Sequence, residues 1–429
     1  MIWQEKVARY RLQRTGSQDS LTFHADTSIR ADGLHRAKGP SCFPVLTVQL
    51  QGKNRPSEPT LPHKPKIPQY LATTPAPTYP CTSGGGEDLA KIALLYAKSV
   101  PKDRALAIVT PTFGMGHKRL SLEAKTNLAI SDSLPSMGLH GLLVSQRLML
   151  DAIHTSGRDR KNTPIVMSIG PPFDCYDATK TPLDIFNETL PQVFAAVRLC
   201  KDVDHIMFET TPSFDAAIAG ARAFTIAHKE TNLKQHTEEH NSPKLHEYLG
   251  GVIDLVALLG VTKQVCPSYN PKTKTYKAIG ATKSYSVSWN LNKDGKVGVR
   301  STRNPNDFVY ISLTQAIRRF NATVKSEGLH APAGFTVNCN SPAVTEKALT
   351  AFQQRATRNE RGMLIGVHSN RATVDDPHQY HTITPAHEMP EDEFIGHIQG
   401  LRDRHKLPLV GGCCGVTPEL VGRMARELR

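Results

Sequence analysis

A (β/α)8 barrel is the fold this sequence predicts, and three observations predict it. Seven short apolar runs recur along the chain, stretches of helical spacing lie between them, and every run ends in Thr, Ser, Gly, Asn, Cys or Glu. Strands that are apolar throughout belong to a parallel sheet covered by helices. Polar or glycine ends on each strand suit a TIM barrel, whose strands all present their C-terminal ends to one active-site face. The alternative, a doubly wound open sheet, would gather its chemistry at a single crevice.

The runs, in order, are "ALAIVTPTFG", "PIVMSIGPP", "DHIMFETTP", "KSYSVSWN", "AGFTVNCNSP", "GMLIGVHSN" and "LPLVGGCCG". Helices are expected over "LHGLLVSQRLMLDAIHTSG", "IFNETLPQVFAAVRLCK", "FDAAIAGARAFTIAHK", "DFVYISLTQAIRRFNATVKSEG" and "TEKALTAFQQRATR", where apolar residues return every three or four positions. Residues 1–86 differ: "NRPSEPTLPHKPKIPQY" and "TTPAPTYPCTSGGG" are rich in Pro, Ser, Thr and Gly and read as a disordered, low-complexity basic tail or linker. The barrel domain is placed at residues 87–429.

Composition bounds the function. A chain of 429 residues with 39% hydrophobic content can bury one large core or two smaller ones. The longest apolar run, "GGVIDLVALLGV", is too short to span a bilayer and is interrupted by Asp254, so no membrane partner is expected. Eight cysteines without regular spacing make no disulfide framework, which points to a reducing compartment and a cytoplasmic location. Arginines and serines near the start suggest a mitochondrial presequence instead, against which Glu5, Asp19, Asp26 and Asp32 count. Of the net charge of +13, residues up to Lys66 carry eleven Lys/Arg against five Asp/Glu, or +6. Nearly half the excess therefore sits in the tail. Non-specific attraction to a polyanion is possible; specific nucleic-acid readout has no support.

The chemistry concentrates at "LVGGCCGVTPELV". Neighbouring side chains on a strand point to opposite faces, so Cys413 and Cys414 converge only if the backbone leaves β geometry. Gly411, Gly412 and Gly415 make that departure cheap. A disulfide between neighbours would be strained, whereas two thiolates can share a zinc ion. Cys339, at the end of "GFTVNC", is the candidate third ligand, because a barrel brings that strand end to the same face. Three protein ligands leave one position open, and a thiol substrate coordinated there loses its proton at neutral pH.

These residues resemble a known family. "GFTVNC" followed by "VGGCCG", together with "DHIMFETTPSFDAA" and "IVMSIGP", is similar to the zinc-dependent homocysteine S-methyltransferases, and the resemblance covers roughly Leu106 to Arg429. It implies a (β/α)8 barrel in which Cys339, Cys413 and Cys414 hold Zn2+ and the sulfur of homocysteine completes the tetrahedron. It further implies methionine as product, a sulfonium donor such as S-methylmethionine or S-adenosylmethionine, or else betaine, and Glu209 of "FETTP" as the holder of the substrate ammonium. Selenocysteine is an alternative acceptor, since it would also coordinate through a soft atom. Thr112 and Asn338 are further substrate-site candidates, with packing and turn formation as their competing roles.

Two departures from the family stand out. The family opens its barrel with a strand ending in an acidic, glycine-rich turn; "IRADGLHRAKG" has no apolar run before it, and "CFPVLTVQLQG" lacks the acidic turn. The first strand is therefore atypical or missing, which would leave two unpaired edges unless the tail donates a strand. A polar, His-rich insertion around residues 229–247 is the second departure. Lacking the opening turn, the chain has an alternative reading as a catalytically impaired zinc-binding barrel with a binding or regulatory role. "HTEEH", His236 to His240, matches the spacing of an inverted zinc-protease motif but has no apolar face to fix a helix. "GMGHKR" has Arg119 where a dinucleotide turn needs its third glycine. Cys42, Cys81, Cys175, Cys200 and Cys266 have no partner spacing and read as ordinary thiols.

Overall fold

The structure, a computed structural model, describes residues 22–26, 85–110, 112, 134–171, 182–198, 200–229, 269–270, 275–276, 283–301, 307–373 and 388–428. In chain order the elements are β1 (Thr22–Asp26), α1 (Gly85–Ser99), β2 (Ala105–Val109), α2 (Leu134–Ser156), β3 (Ile165–Ile169), α3 (Pro182–Arg198), β4 (His205–Thr211) and α4 (Phe214–Lys229). There follow the short pair β5 (Tyr269–Asn270) and β6 (Thr275–Tyr276), then β7 (Ser284–Trp289), β8 (Lys296–Arg300), β9 (Phe308–Ser312) and α5 (Leu313–Ser326). The last third holds β10 (Gly334–Asn338), α6 (Pro342–Arg355), α7 (Arg358–Met363), β11 (Leu364–Ser369), α8 (Glu391–His405), β12 (Leu409–Gly412) and α9 (Pro418–Glu427).

The seven apolar runs become β2, β3, β4, β7, β10, β11 and β12, a curled parallel sheet in which each strand pairs with the next of the set. The two edges are joined by β1, which pairs in parallel with β2 on one side and β12 on the other and closes the barrel. The first strand is thus present, donated by the region read as a tail. It was illegible because TFHAD mixes polar and apolar residues and makes its ladder through backbone groups that any side chain allows. Residues 27–84, including "IRADGLHRAKG" and "CFPVLTVQLQG", lie outside the described residues, as does most of the insertion around residues 229–247.

One helix begins later than its periodicity suggests. The spacing from Asp307 predicts a helix, but Phe308–Ser312 forms β9, antiparallel to β8, and α5 starts only at Leu313. Ser312 sets the boundary through a capping box: its hydroxyl accepts from the Gln315 backbone N–H, and the Gln315 side chain accepts from the Ser312 backbone N–H. Aromatic and β-branched residues before that cap favour the strand.

The seven strands formed by the apolar runs are buried along almost their whole length. Trp289 and Phe335 stack at 6.4 Å between centroids, and Phe320 of α5 meets Phe335 edge-on at 5.4 Å, so the helix layer is locked to the barrel wall. Among the described residues no helix is long and apolar enough to cross a membrane.

Candidate metal centre

Cys339 and the Cys413–Cys414 pair follow β10 and β12, on either side of β11, at the barrel's C-terminal face. Cys339 adopts φ 56°, a left-handed conformation uncommon for a residue with a Cβ, and its backbone N–H donates to the His368 carbonyl at 2.9 Å. Asn290, at the end of β7, donates through Nδ2 to the Cys339 carbonyl at 3.1 Å, and Asn340 exchanges side-chain bonds with the Leu291 backbone at 2.8 and 3.1 Å. The residues flanking Cys339 are thereby held from both sides. On the other strand, Cys413 N–H donates to the Ser369 carbonyl at 2.9 Å and Gly415 turns the chain at φ 77°. A Cβ on Gly412 would lie 2.2 Å from Val416 Cγ1, so only glycine fits that close approach.

The three sulfurs converge as the sequence predicts. Cys339 Sγ lies 3.6 Å from Cys414 Sγ, Cys413 Sγ lies 3.8 Å from Cys414 Sγ, and all three fall within 4.8 Å of one another. Tetrahedral zinc with Zn–S bonds of about 2.3 Å requires sulfurs about 3.8 Å apart, so the donor set fits that ion. All three cysteines are buried and unbridged. Hydrogen bonds from Cys339 and Cys414, then burial, hold the Cys413 thiol well above the ordinary thiol range. Bare thiols packed this way resist ionisation; a divalent cation among them reverses that balance.

A buried polar chain crosses the barrel beside the sulfurs. Thr112 Oγ1 donates to the Ser168 carbonyl at 2.5 Å and lies 2.7 Å from Thr110 Oγ1. Ser168 Oγ donates to Glu209 Oε2, and Asn338 Nδ2 donates to Glu209 Oε1 at 3.3 Å. Asn338 also donates to Thr210 Oγ1 at 2.9 Å and accepts from the Thr210 backbone N–H at 3.1 Å, holding Thr210 at φ 49°. Thr112, Glu209 and Asn338 therefore share one network, with Cys339 next in sequence to its last member. Sequence reasoning missed Ser168, Asn290 and Arg371; the polar ends of "PIVMSIGPP" and "KSYSVSWN" were the available signal for the first two.

Burial alone pushes His368, beside Asn338 in the β10–β11 ladder, down to a pKa of about 3, and His205 at the start of β4 down to about 3. Both are neutral at pH 7. The His205 ring nitrogens each lie 2.8 Å from a serine hydroxyl, Ser284 and Ser286. Cys200 packs into the main core, apart from the cluster of three. Cys42, Cys81, Cys175, Cys266, the "HTEEH" segment and "GMGHKR" lie outside the described residues.

Fold and site together define a parallel α/β barrel with a three-thiol centre, able to hold a metal ion, at the C-terminal ends of its strands. Residues 275–428, which contain all three cysteines, match the family model of the homocysteine S-methyltransferases. Among curated proteins no relative matches. Among solved structures the chain is similar to that of the homocysteine methyltransferase MmuM from Escherichia coli in its oxidized form. There the identity is 13% and the TM-score 0.41, covering 79% of this chain and 85% of that one.

Proposed function

We propose that this protein transfers a methyl group from a sulfonium donor to the thiol of homocysteine, giving methionine, with a zinc ion held by Cys339, Cys413 and Cys414. The observation that carries this reading is the approach of three buried sulfurs to within 4.8 Å at the barrel face. The chemistry a bound zinc supplies is deprotonation of a coordinating thiol at neutral pH, where a free alkyl thiol is only a few per cent ionised.

The chain's own residues do the rest. Three cysteine ligands leave one coordination position for substrate. Glu209, its two oxygens oriented by Ser168 and Asn338, offers a carboxylate to the substrate ammonium. Thr112 supports that arrangement by fixing the Ser168 main chain. Across the reaction, the new bond forms between the acceptor sulfur and the methyl carbon as the donor's sulfur–methyl bond breaks. The donor loses its positive charge and the acceptor thiol gives up its proton. Holding both sulfurs in line supplies much of the acceleration.

The working unit in this reading is residues 87–429 closed by β1, whose last residue, Asp26, sits in register with Val109 at the same rim. We place it in the cytoplasm, where three unbridged thiols persist. The test is zinc content and methyl transfer to homocysteine, measured on the purified protein and on Cys414→Ser with S-methylmethionine, S-adenosylmethionine and betaine offered in turn. Zinc and turnover present in the first and lost in the second is the expected result. Zinc without homocysteine binding or turnover would favour the alternative of a catalytically impaired binding barrel, which the departure from the family's opening turn motivates.

A further inference from the structure

We propose that Arg371, pinned by Glu388, is a positioning residue that fixes the Cys413–Cys414 turn in the shape that holds the metal; the inference rests on the zinc reading above. Arg371 lies two residues beyond β11, the strand that neighbours β12. Its backbone N–H donates to the Cys414 carbonyl at 2.9 Å, and its Nη1 donates to the Gly415 carbonyl at 3.1 Å. Those two carbonyls are consecutive. Holding both fixes the two peptide planes on either side of Gly415, the first of which helps set the direction in which the Cys414 side chain leaves the backbone.

The guanidinium is itself held. Nη2 donates to Glu388 Oε2 at 2.6 Å, a charge-assisted bond between side chains that are 14% and 19% exposed. The Met389 backbone N–H donates to the Arg371 carbonyl at 2.7 Å, and an antiparallel bridge joins Ala372 to Glu388, so carboxylate and guanidinium share one rigid corner. Glu391, the first residue of α8, lies 3.8 Å from Nη1 and 2.9 Å from Arg423 of α9, extending the tie to the helix that follows the turn. A Cβ on Gly415 would lie 3.1 Å from Arg371 Cβ and 3.5 Å from Glu388 Oε1, so the turn packs directly against this pair. Lysine could reach one carbonyl but not reproduce the fork that spans carbonyl and carboxylate.

The experiment uses the full-length protein, with Zn2+ affinity measured by competition against a chromophoric chelator and the sulfur-to-metal charge-transfer band recorded after Co2+ loading. Arg371→Ala is expected to weaken Zn2+ binding by about 10- to 100-fold, the usual scale for outer-sphere supports, and to alter the Co2+ band. Arg371→Lys and Glu388→Gln should fall between it and the wild type, and they carry the test if Arg371→Ala does not fold. Wild-type binding with unchanged affinity and spectrum in the folded variants would overturn this inference alone. A wild-type protein that takes up neither ion would overturn the zinc reading, and this inference with it.

Discussion

The side-chain oxygen of Asn338 lies 3.1 Å from the backbone nitrogen of Thr210, a bond between residues 128 apart in sequence. It ties the strand that ends before Cys339 to the strand that carries Glu209, and so couples the three-thiol cluster to the carboxylate. Replacing Asn338 by Ala removes this bond, the 2.9 Å bond to Thr210 Oγ1 and the 3.3 Å bond to Glu209, leaving buried partners unsatisfied. A loss of about 2–4 kcal/mol is expected in denaturant unfolding. A change below about 0.5 kcal/mol would show that these bonds are not formed in solution.

Glu209→Gln keeps the size of the side chain and removes its charge. On the reading that Glu209 holds an ammonium, KM for homocysteine should rise about 10- to 100-fold, equivalent to losing one charge-assisted hydrogen bond. Zinc content should stay at the wild-type level, because Glu209 is no ligand. An unchanged KM assigns the ammonium to another group.

Metal and proton compete at the three thiols. Because the Cys413 thiol is raised in the folded metal-free protein, its neutral form is favoured by folding. Stability from this group is complete below the unfolded thiol pKa of about 8.5 and declines as pH rises beyond it. Metal-free protein should therefore lose stability between neutral and alkaline pH, whereas zinc-loaded protein should not, since its ligands are already deprotonated. Zinc at 100 times its dissociation constant should add about 2.7 kcal/mol, read as a concentration-dependent rise in Tm. A Tm indifferent to zinc would contradict the proposed centre.

His205 and His368 fall to about 3 through burial, against about 6.5 when unfolded. The stability they contribute is complete above pH 6.5 and is lost as pH falls from there toward 3, because the unfolded chain takes up a proton at each site. Between those limits each histidine should contribute a slope of about 1.4 kcal/mol per pH unit. His205→Asn should flatten the acid limb of an unfolding-versus-pH curve by about that amount. An unchanged slope would mean that water reaches the ring in the folded state.

Gly412→Ala should disrupt the pair of cysteines at its base. The added methyl would sit 2.2–2.5 Å from the three outer carbons of Val416, and the turn must open to accept it. The overpacking is expected to cost about 1–3 kcal/mol. Double substitution with Val416→Gly, which removes all three carbons, should recover part of that loss; no recovery would locate the defect elsewhere.

Much of the barrel was legible because a parallel strand buried on both faces must be apolar along its whole length, and the seven runs are. The three-cysteine cluster was legible too, since glycines around paired cysteines announce a turn, and a cysteine at another strand end supplies the third sulfur. β1 was not. A five-residue strand of mixed polarity is chosen by the two open edges waiting for it, Ala105–Val109 and Leu409–Gly412, and only a curled sheet creates those edges. The start of α5 was misplaced because Phe308–Ser312 fits helical spacing, and the strand wins only once β8 is present to pair with it.

By itself the sequence determined which groups meet: three thiols, one carboxylate, and an alternation of strand and helix that brings strand ends to a common face. The tertiary structure alone decided which groups orient those residues. Ser168 on Glu209, Asn290 on the Cys339 carbonyl and Arg371 on the Cys413–Cys414 turn span between 41 and 49 residues for the first two pairs and 44 for Arg371 to Gly415. Hydrogen bonds act over about 3 Å, and such separations close only when the barrel does.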